Sequence, residues 1–295
     1  PAAPKKEEGK KVLKIADKVT VTPYGFIRNY FTYDSRNTYT SVGGEYNFLP
    51  YDEKWNMTEA ESAATGLERT DLNATPNAKF LAITTRIGLN LAGPTILGAA
   101  SSGKIEADFG GFSTTNSVLR IRHAYMKLNW ENENGLTQEL LAGQTWHPLS
   151  GDIMPEVLGM AAGAPFRCHS RTPQVRFIYT NGNLGFTVAA LSQLQYMNNG
   201  PSGTFNATSG TSWSSTNSTS FAYNAIVPEM FLGLNYTNEK IYAQLGADMQ
   251  MLRPRTWGDK LSGTTHYKVK VNEPCLSFTP TVYFQYTDGP LAIKF

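Results

Sequence analysis

The chain has 295 residues, of which 41% are hydrophobic and 17% charged, with a formal net charge of +2. So even a balance offers no bulk electrostatic case for nucleic acid. The mean hydropathy of −0.32 argues against a helical membrane protein, as does the lack of any apolar run near the ~20 residues that a spanning helix needs. Charge content lies below the roughly 25% usual for soluble domains, while aromatics are abundant, with 15 Tyr, 15 Phe and 5 Trp. Gly, Asn, Ser and Thr crowd the connections. A transmembrane β-barrel, half polar by construction, has this composition, and so does a secreted all-β sandwich.

Residues 1–17 form a Pro/Ala and then Lys/Glu segment with few apolar side chains, in which Gly9 weakens any helix; a flexible leader is expected. From about Lys18 the stretch KVTVTPYGFIRNYFTYDSR predicts one long strand, with Gly25, Ile27 and Phe31 on one face and Phe26, Arg28 and Tyr30 on the other. Pro23 argues against a well-paired start. Residues 37–78 predict a long irregular connection of a length that compact soluble domains rarely tolerate. A strand over 79–92 follows, placing Leu81, Ile83, Ile87, Leu89 and Leu91 opposite Arg86 and Asn90. In the next, 102–110, Ile105, Ala107 and Phe109 alternate with Lys104, Glu106 and Asp108, the cleanest period-2 signal in the chain.

The pair 117–131 and 136–147 predicts a hairpin. Along its first strand Arg120, Arg122, Ala124 and Met126 share one face, and Leu119, Ile121, His123 and Tyr125 the other. Alternation is then lost from Leu149 to Pro173, a stretch with Pro155, Pro165, many Ala and Gly, and the cluster Arg167, His169 and Arg171. It is too apolar for an ordinary surface loop and suits one folded back into a protected space. Strands resume at about 174–179, 184–195, 230–237, 240–252, 276–287 and 291–295. Tight turns at 180–183, 237–240 and 287–290 tend to alternate with long polar stretches at 198–225 and 253–268. A barrel predicts that alternation, whereas a sandwich does not demand it. The domain reading is therefore a leader at 1–17 and a transmembrane antiparallel β-barrel over 18–295, with about eleven visible strands.

In such a barrel the chemistry is electrostatic selection along a wet wall. The basic candidates are Arg28, Arg86, Arg120, Arg122 and Arg176, because a long basic side chain facing lipid costs ~2–4 kcal/mol at mid-membrane. The acidic candidates are Glu106 and Asp108, and the 149–173 segment adds Asp152, Glu156, Arg167, His169 and Arg171. Basic and acidic groups on different walls would set up a transverse field. The alternative for each is simple solvation of a water-filled wall. Trp130, Trp146, Tyr236, Tyr242 and Tyr286 fit interfacial girdles or sugar-stacking platforms. His123, His147, His169 and His266 lack metal-ligand spacing, so no metal is expected. No nucleophile motif or phosphate-binding glycine loop is present. His147, Ser150 and Asp152 match a triad by letter only. Neither enzyme activity nor a cofactor is expected. Cys168 and Cys275, far apart, suit two inert thiols or a single disulfide.

The blocks PYGFIRNYFTYDSR, FLAITTRIGLNL, GKIEADF, LRIRHAYMKLNW, LLAGQTWHPLS and GAPFRCHSRTP resemble porin-type outer-membrane proteins of the Bacteroidota, similar in turn to the DcaP-like and phosphate-selective porins. The resemblance spans most of the chain from Lys18 onward. It implies a bacterial outer-membrane location with a periplasmic leader, and passive diffusion of small hydrophilic or anionic solutes. It also implies contact with outer-membrane lipid, a trimeric assembly, and the 149–173 segment as a constriction loop. The alternative functions are a plugged barrel serving as a structural or interaction subunit, a barrel enzyme, and a soluble glycan-binding sandwich. Sixteen strands are the family expectation, against about eleven visible ones, which suggests a chain incomplete at its C-terminus, although Leu291, Ile293 and Phe295 resemble a terminal assembly signal.

Overall fold

A computed structural model of the chain describes residues 13–16, 18–41, 46–112, 117–132, 134–149, 170–193, 195–205 and 213–294. Twelve strands form one sheet in which each bonds the strand before and after it. They are β1 (Leu13–Ala16), β2 (Val19–Phe26), β3 (Arg86–Ile96), β4 (Ala99–Phe112), β5 (Ser117–Glu131), β6 (Leu136–Trp146), β7 (Arg171–Asn181), β8 (Leu184–Leu191), β9 (Glu229–Thr237), β10 (Ile241–Leu252), β11 (Cys275–Asp288) and β12 (Leu291–Lys294). Every pairing is antiparallel. The fold is all-β, a meander of the kind that builds a transmembrane barrel. Among the described residues no helix is long and apolar enough to cross a membrane.

The register separates two faces. Phe186, Leu234, Leu245 and Val282 form one cross-strand row from β8 to β11, and they are 39%, 58%, 60% and 64% exposed. Ile105, Leu119 and Ile121 are exposed on the neighbouring strands. The opposite face buries Glu106, Asp108, Arg122, His123, Gln174, Glu229 and Asp248. A soluble sandwich buries its apolar face and solvates the other; here the pattern is reversed. The polar face also holds a small apolar cluster of Ala189, Leu191 and Phe231, against which Leu149 packs. Phe231 stands in register between Ala189 and Asp248, so apolar and acidic groups share that face.

Turns at one end of the sheet are short. Between β3 and β4 the loop is Leu97–Gly98, with φ of 51° and 78°, the pair of positive values that a two-residue turn needs to follow strand twist. Trp130 Nε1 donates to the Leu97 carbonyl at 2.9 Å and covers this turn. At the other end the connections are long, except for 113–116 between β4 and β5.

Three expectations change. Leu13–Ala16, assigned to the leader, pair with β2 as the edge strand β1. The long first strand ends at Phe26; after a break at 27–29, Tyr30–Asp34 pairs with Asn77–Leu81 in a separate two-stranded sheet. Pro23 nevertheless lies within β2, in register with Leu89 of β3, and among the described residues β1 pairs only with Val19–Val21. The 37–78 connection is also structured. It holds a hairpin of Thr38–Ser41 with Tyr46–Pro50 and helix α1 (Glu59–Thr65), opened by a Thr58/Glu61 capping box and closed by Gly66 at φ 70°.

Candidate functional site

The site starts from β4. Strict alternation puts Lys104, Glu106 and Asp108 on the polar face, and β5 runs antiparallel beside it. Their register jumps: Glu106 pairs with His123, but Ala107 pairs with Ile121. Arg122 is therefore the extra residue of a β-bulge, which bends the strand and resets its alternation. Arg122 and His123 are both buried, and both contact the carboxylates of β4. His123 and Tyr125 therefore stand on the polar face with Glu106 and Lys104, and not with Leu119 and Ile121 as alternation alone predicts, because a period of two cannot be carried through a bulge.

Arg122 spans both carboxylates, donating from Nε to Glu106 Oε1 and from Nη1 to Asp108 Oδ2, each at 2.7 Å. Arg120 forks onto Asp108 through Nε at 2.9 Å and Nη2 at 2.8 Å, the two-bond geometry that guanidinium offers a carboxylate. Lys104 Nζ and Arg86 Nη1 lie 3.6 Å and 3.8 Å from Glu106. From β2, the Tyr24 hydroxyl donates to Glu106 Oε2 at 2.8 Å. Tyr24 reaches β4 across β3 because the intervening residue is Gly88, where any side chain would collide with the Tyr24 ring. His123 Nδ1 bonds Thr145 Oγ1 at 3.0 Å, and its Nε2 lies 3.9 Å from Glu106. Burying such a network is stabilising only while every charge keeps its partner.

Acidic and basic groups are thus paired on adjacent strands, and Glu106 and Asp108 do not form a wall opposed to Arg120 and Arg122. Arg171 belongs to β7 as its first residue, and not to the preceding loop. It is buried, its guanidinium stacks 4.9 Å from the Trp146 ring, and its Nη1 has no hydrogen-bond partner. Arg122 stands over the same ring at 5.9 Å. Among the described residues, Arg86, Lys104, Arg120, Arg122 and Arg171 outnumber Glu106 and Asp108, so this part of the cluster is basic. Arg176 faces the same way, in register with Leu141 and Ala189, but outside the cluster. Arg28 lies beyond the end of β2, exposed, with Nη1 donating to the Tyr30 hydroxyl at 3.1 Å. Asp152, Glu156, Arg167, His169 and Cys168 lie outside the described residues, as does Phe295; Cys275 is a free, exposed thiol.

Two aromatics assigned to girdles belong to the polar face. Trp146 packs edge-on to His123 with centroids 5.9 Å apart, and Tyr242 packs on Tyr283 at 5.9 Å. Sequence reasoning also missed Tyr24 and Gln174, whose Nε2 donates to the Trp146 carbonyl at 3.0 Å and the Thr172 carbonyl at 3.2 Å. A second buried cluster, His147, Glu229 and Asp248, offers one ligand atom from each residue within 4.8 Å of the others. This departs from the expectation of no metal-ligand set. No sequence motif announces the cluster, because it comes from the residue after β6 and from β9 and β10, which only the sheet brings together.

An antiparallel meander with a solvent-exposed apolar face and a buried ionic face defines the chain as porin-like in fold. No family model matches the sequence, and no curated protein matches it. Among solved structures it is similar to the outer membrane channel DcaP of Acinetobacter baumannii, with a TM-score of 0.57 and 18% identity over 94% of this chain. The chain spans 62% of that channel's length.

Proposed function

We propose that the protein is an outer-membrane channel through which small hydrophilic solutes diffuse passively, with a preference for anions. One observation carries this reading: the apolar row Phe186, Leu234, Leu245 and Val282 is exposed on one face while the arginine cluster is buried on the other. That inversion suits a sheet with lipid outside and water inside. The fold similarity to a channel supports the reading, and the basic surplus around Glu106 and Asp108 supports anion preference, since an excess of fixed charge lowers the barrier for ions of opposite sign. Catalysis has no part in the reading. Assembly as a homotrimer in contact with outer-membrane lipid belongs to the same proposal.

Reconstitution of the full chain in planar bilayers tests it. Stepwise conductance and a reversal potential on the anion side of a KCl gradient are expected. Conductance no higher than that of protein-free lipid rejects the channel, and cation preference rejects the solute class. Native mass in detergent reads the assembly, where a monomer argues against the trimer.

A further inference from the structure

His147, directly after β6, meets Glu229 at the start of β9 and Asp248 within β10. Its Nε2 donates to Glu229 Oε1 at 2.7 Å. Its Nδ1 accepts the Leu149 amide at 3.1 Å, which fixes the proton on Nε2. Gln250 Nε2 donates to the other Glu229 oxygen, Oε2, at 3.2 Å. Glu229 is thereby oriented from outside the cluster, as outer-shell partners orient metal ligands. Among the described residues Asp248, which faces Glu229, has no such support from outside the cluster. Its Oδ1 lies 3.8 Å from His147 Nε2, and the side chain is only 9% exposed, yet that oxygen has no hydrogen-bond partner. Among the described residues no Lys or Arg forms an ion pair with either carboxylate. A buried carboxylate oxygen without a donor is unusual and costly.

We propose that His147, Glu229 and Asp248 bind a first-row divalent cation of the zinc class. Two carboxylates and one imidazole carry the charge that a divalent ion neutralises, and the nitrogen donor favours a borderline metal over magnesium or calcium, which prefer all-oxygen shells. Glu229 and Asp248 come from β9 and β10 and His147 from the residue directly after β6, so the ion ties the end of β6 to β9 and β10 on the polar face. A cavity of about 270 Å³ with Glu229 and Gln250 in its wall lies alongside. Coordination at Nε2 moves the imidazole proton to Nδ1, so the Leu149 amide gives up its bond there. Any proton held between the two carboxylates is released, and affinity falls as pH is lowered.

The test is calorimetric titration of zinc chloride into the folded, chelator-stripped full chain in detergent, with magnesium and calcium chloride as comparisons. One zinc per chain is expected, with no uptake of magnesium or calcium at the same concentration. Affinity should fall at least about tenfold in Asp248→Asn and in Glu229→Gln. Zinc should also raise the unfolding temperature of the unsubstituted chain, reversibly with chelator, so one readout survives if either variant does not fold. Absence of zinc binding overturns the proposal and leaves the two carboxylates a shared proton alone. Zinc binding undiminished in both variants also overturns it, by placing the ion elsewhere. Neither readout uses conductance, so failure of the channel reading leaves the result intact.

Discussion

Arg122 holds the most exacting position in the molecule. Its side chain is 8% exposed, and among the described residues it is the one group bonded to both Glu106 and Asp108. Removing one partner of a buried ion pair costs about 3–5 kcal/mol, because the remaining charge keeps its desolvation penalty. Arg122→Ala is therefore expected to destabilise the fold by about that amount, measured as the shift in urea midpoint for unfolding in detergent. Adding Glu106→Gln should restore part of the loss, and strictly additive effects would show that the two are not coupled. Leu97 is strained in the other direction: a non-glycine residue at φ 51°, fully outside the core. Leu97→Asn relieves a left-handed conformation that costs roughly 1–2 kcal/mol for an ordinary side chain, so the same measurement should show a gain of about 1 kcal/mol. At this scale the sequence is informative about charge and silent about bulges. Lys104, Glu106 and Asp108 announce their face by simple alternation. His123 does not, because the extra residue at Arg122 shifts its parity and nothing in the letters marks it. Arg171 was placed in a loop for the same kind of reason, since Pro173 beside it disguises a strand that tolerates the proline in its ladder.

Elements depend on contacts between them that no single stretch contains. Tyr24 on β2 reaches Glu106 on β4 only because Gly88 on β3 leaves the space. The strands themselves were legible, since each has its own alternation and turn residues. The gap in the middle strand was not, because a glycine within a strand gives no hint of which neighbour fills it. The 37–78 connection fails differently. Its polar composition predicts an irregular loop, but Thr58 and Glu61 carry the capping-box spacing that starts α1, a signal present in the sequence and overlooked. The connection is held at Asp71, which accepts the backbone N–H of Lys54 at 2.9 Å and of Asn73 at 2.9 Å and pairs with Arg36 at 2.8 Å. The Lys54 N–H foremost, then the Asn73 N–H and Arg36, hold its carboxyl below the usual carboxylate range. A carboxyl lowered by folding adds stability above its unfolded value of about 3.9, and that contribution is lost as pH falls through the folded value. Limited proteolysis of this connection should be flat from neutral pH down to about 5 and rise below about 4. Asp71→Asn should show the higher cleavage already at neutral pH. Equal cleavage of the two chains at neutral pH would remove Asp71 as the tie.

At the scale of the whole molecule, the reversed burial was the feature most legible in advance, because alternation in β4 and the arginines of β5 both require one wet and one apolar face. Less legible was how the wet face is divided. Ala189, Leu191 and Phe231 interrupt it, and the acids and bases that were expected to oppose one another are neighbours in salt bridges. The field on that face therefore comes from the charges left over after pairing. Arg120 and Arg122 are engaged with Glu106 and Asp108, which makes them poor probes of selectivity, since their removal disturbs the fold first. Arg171 is the better probe. Its guanidinium stacks on the Trp146 ring, its Nη1 makes no hydrogen bond, and among the described residues it forms no ion pair with a carboxylate. It is also buried, where salt screens less than at the surface. Under the proposed channel function, Arg171→Ala should move the reversal potential in a KCl gradient toward the cation side while leaving the heat-modifiable migration of the folded protein unchanged. Arg28→Ala, which removes an exposed charge beyond the end of β2, should move it much less, and by an amount that shrinks further at high salt, because exposed charges more than about 10 Å from the permeating ion are screened at 0.1 M. Equal shifts from the two substitutions, or none from Arg171→Ala, would show that the buried cluster does not set the ion preference.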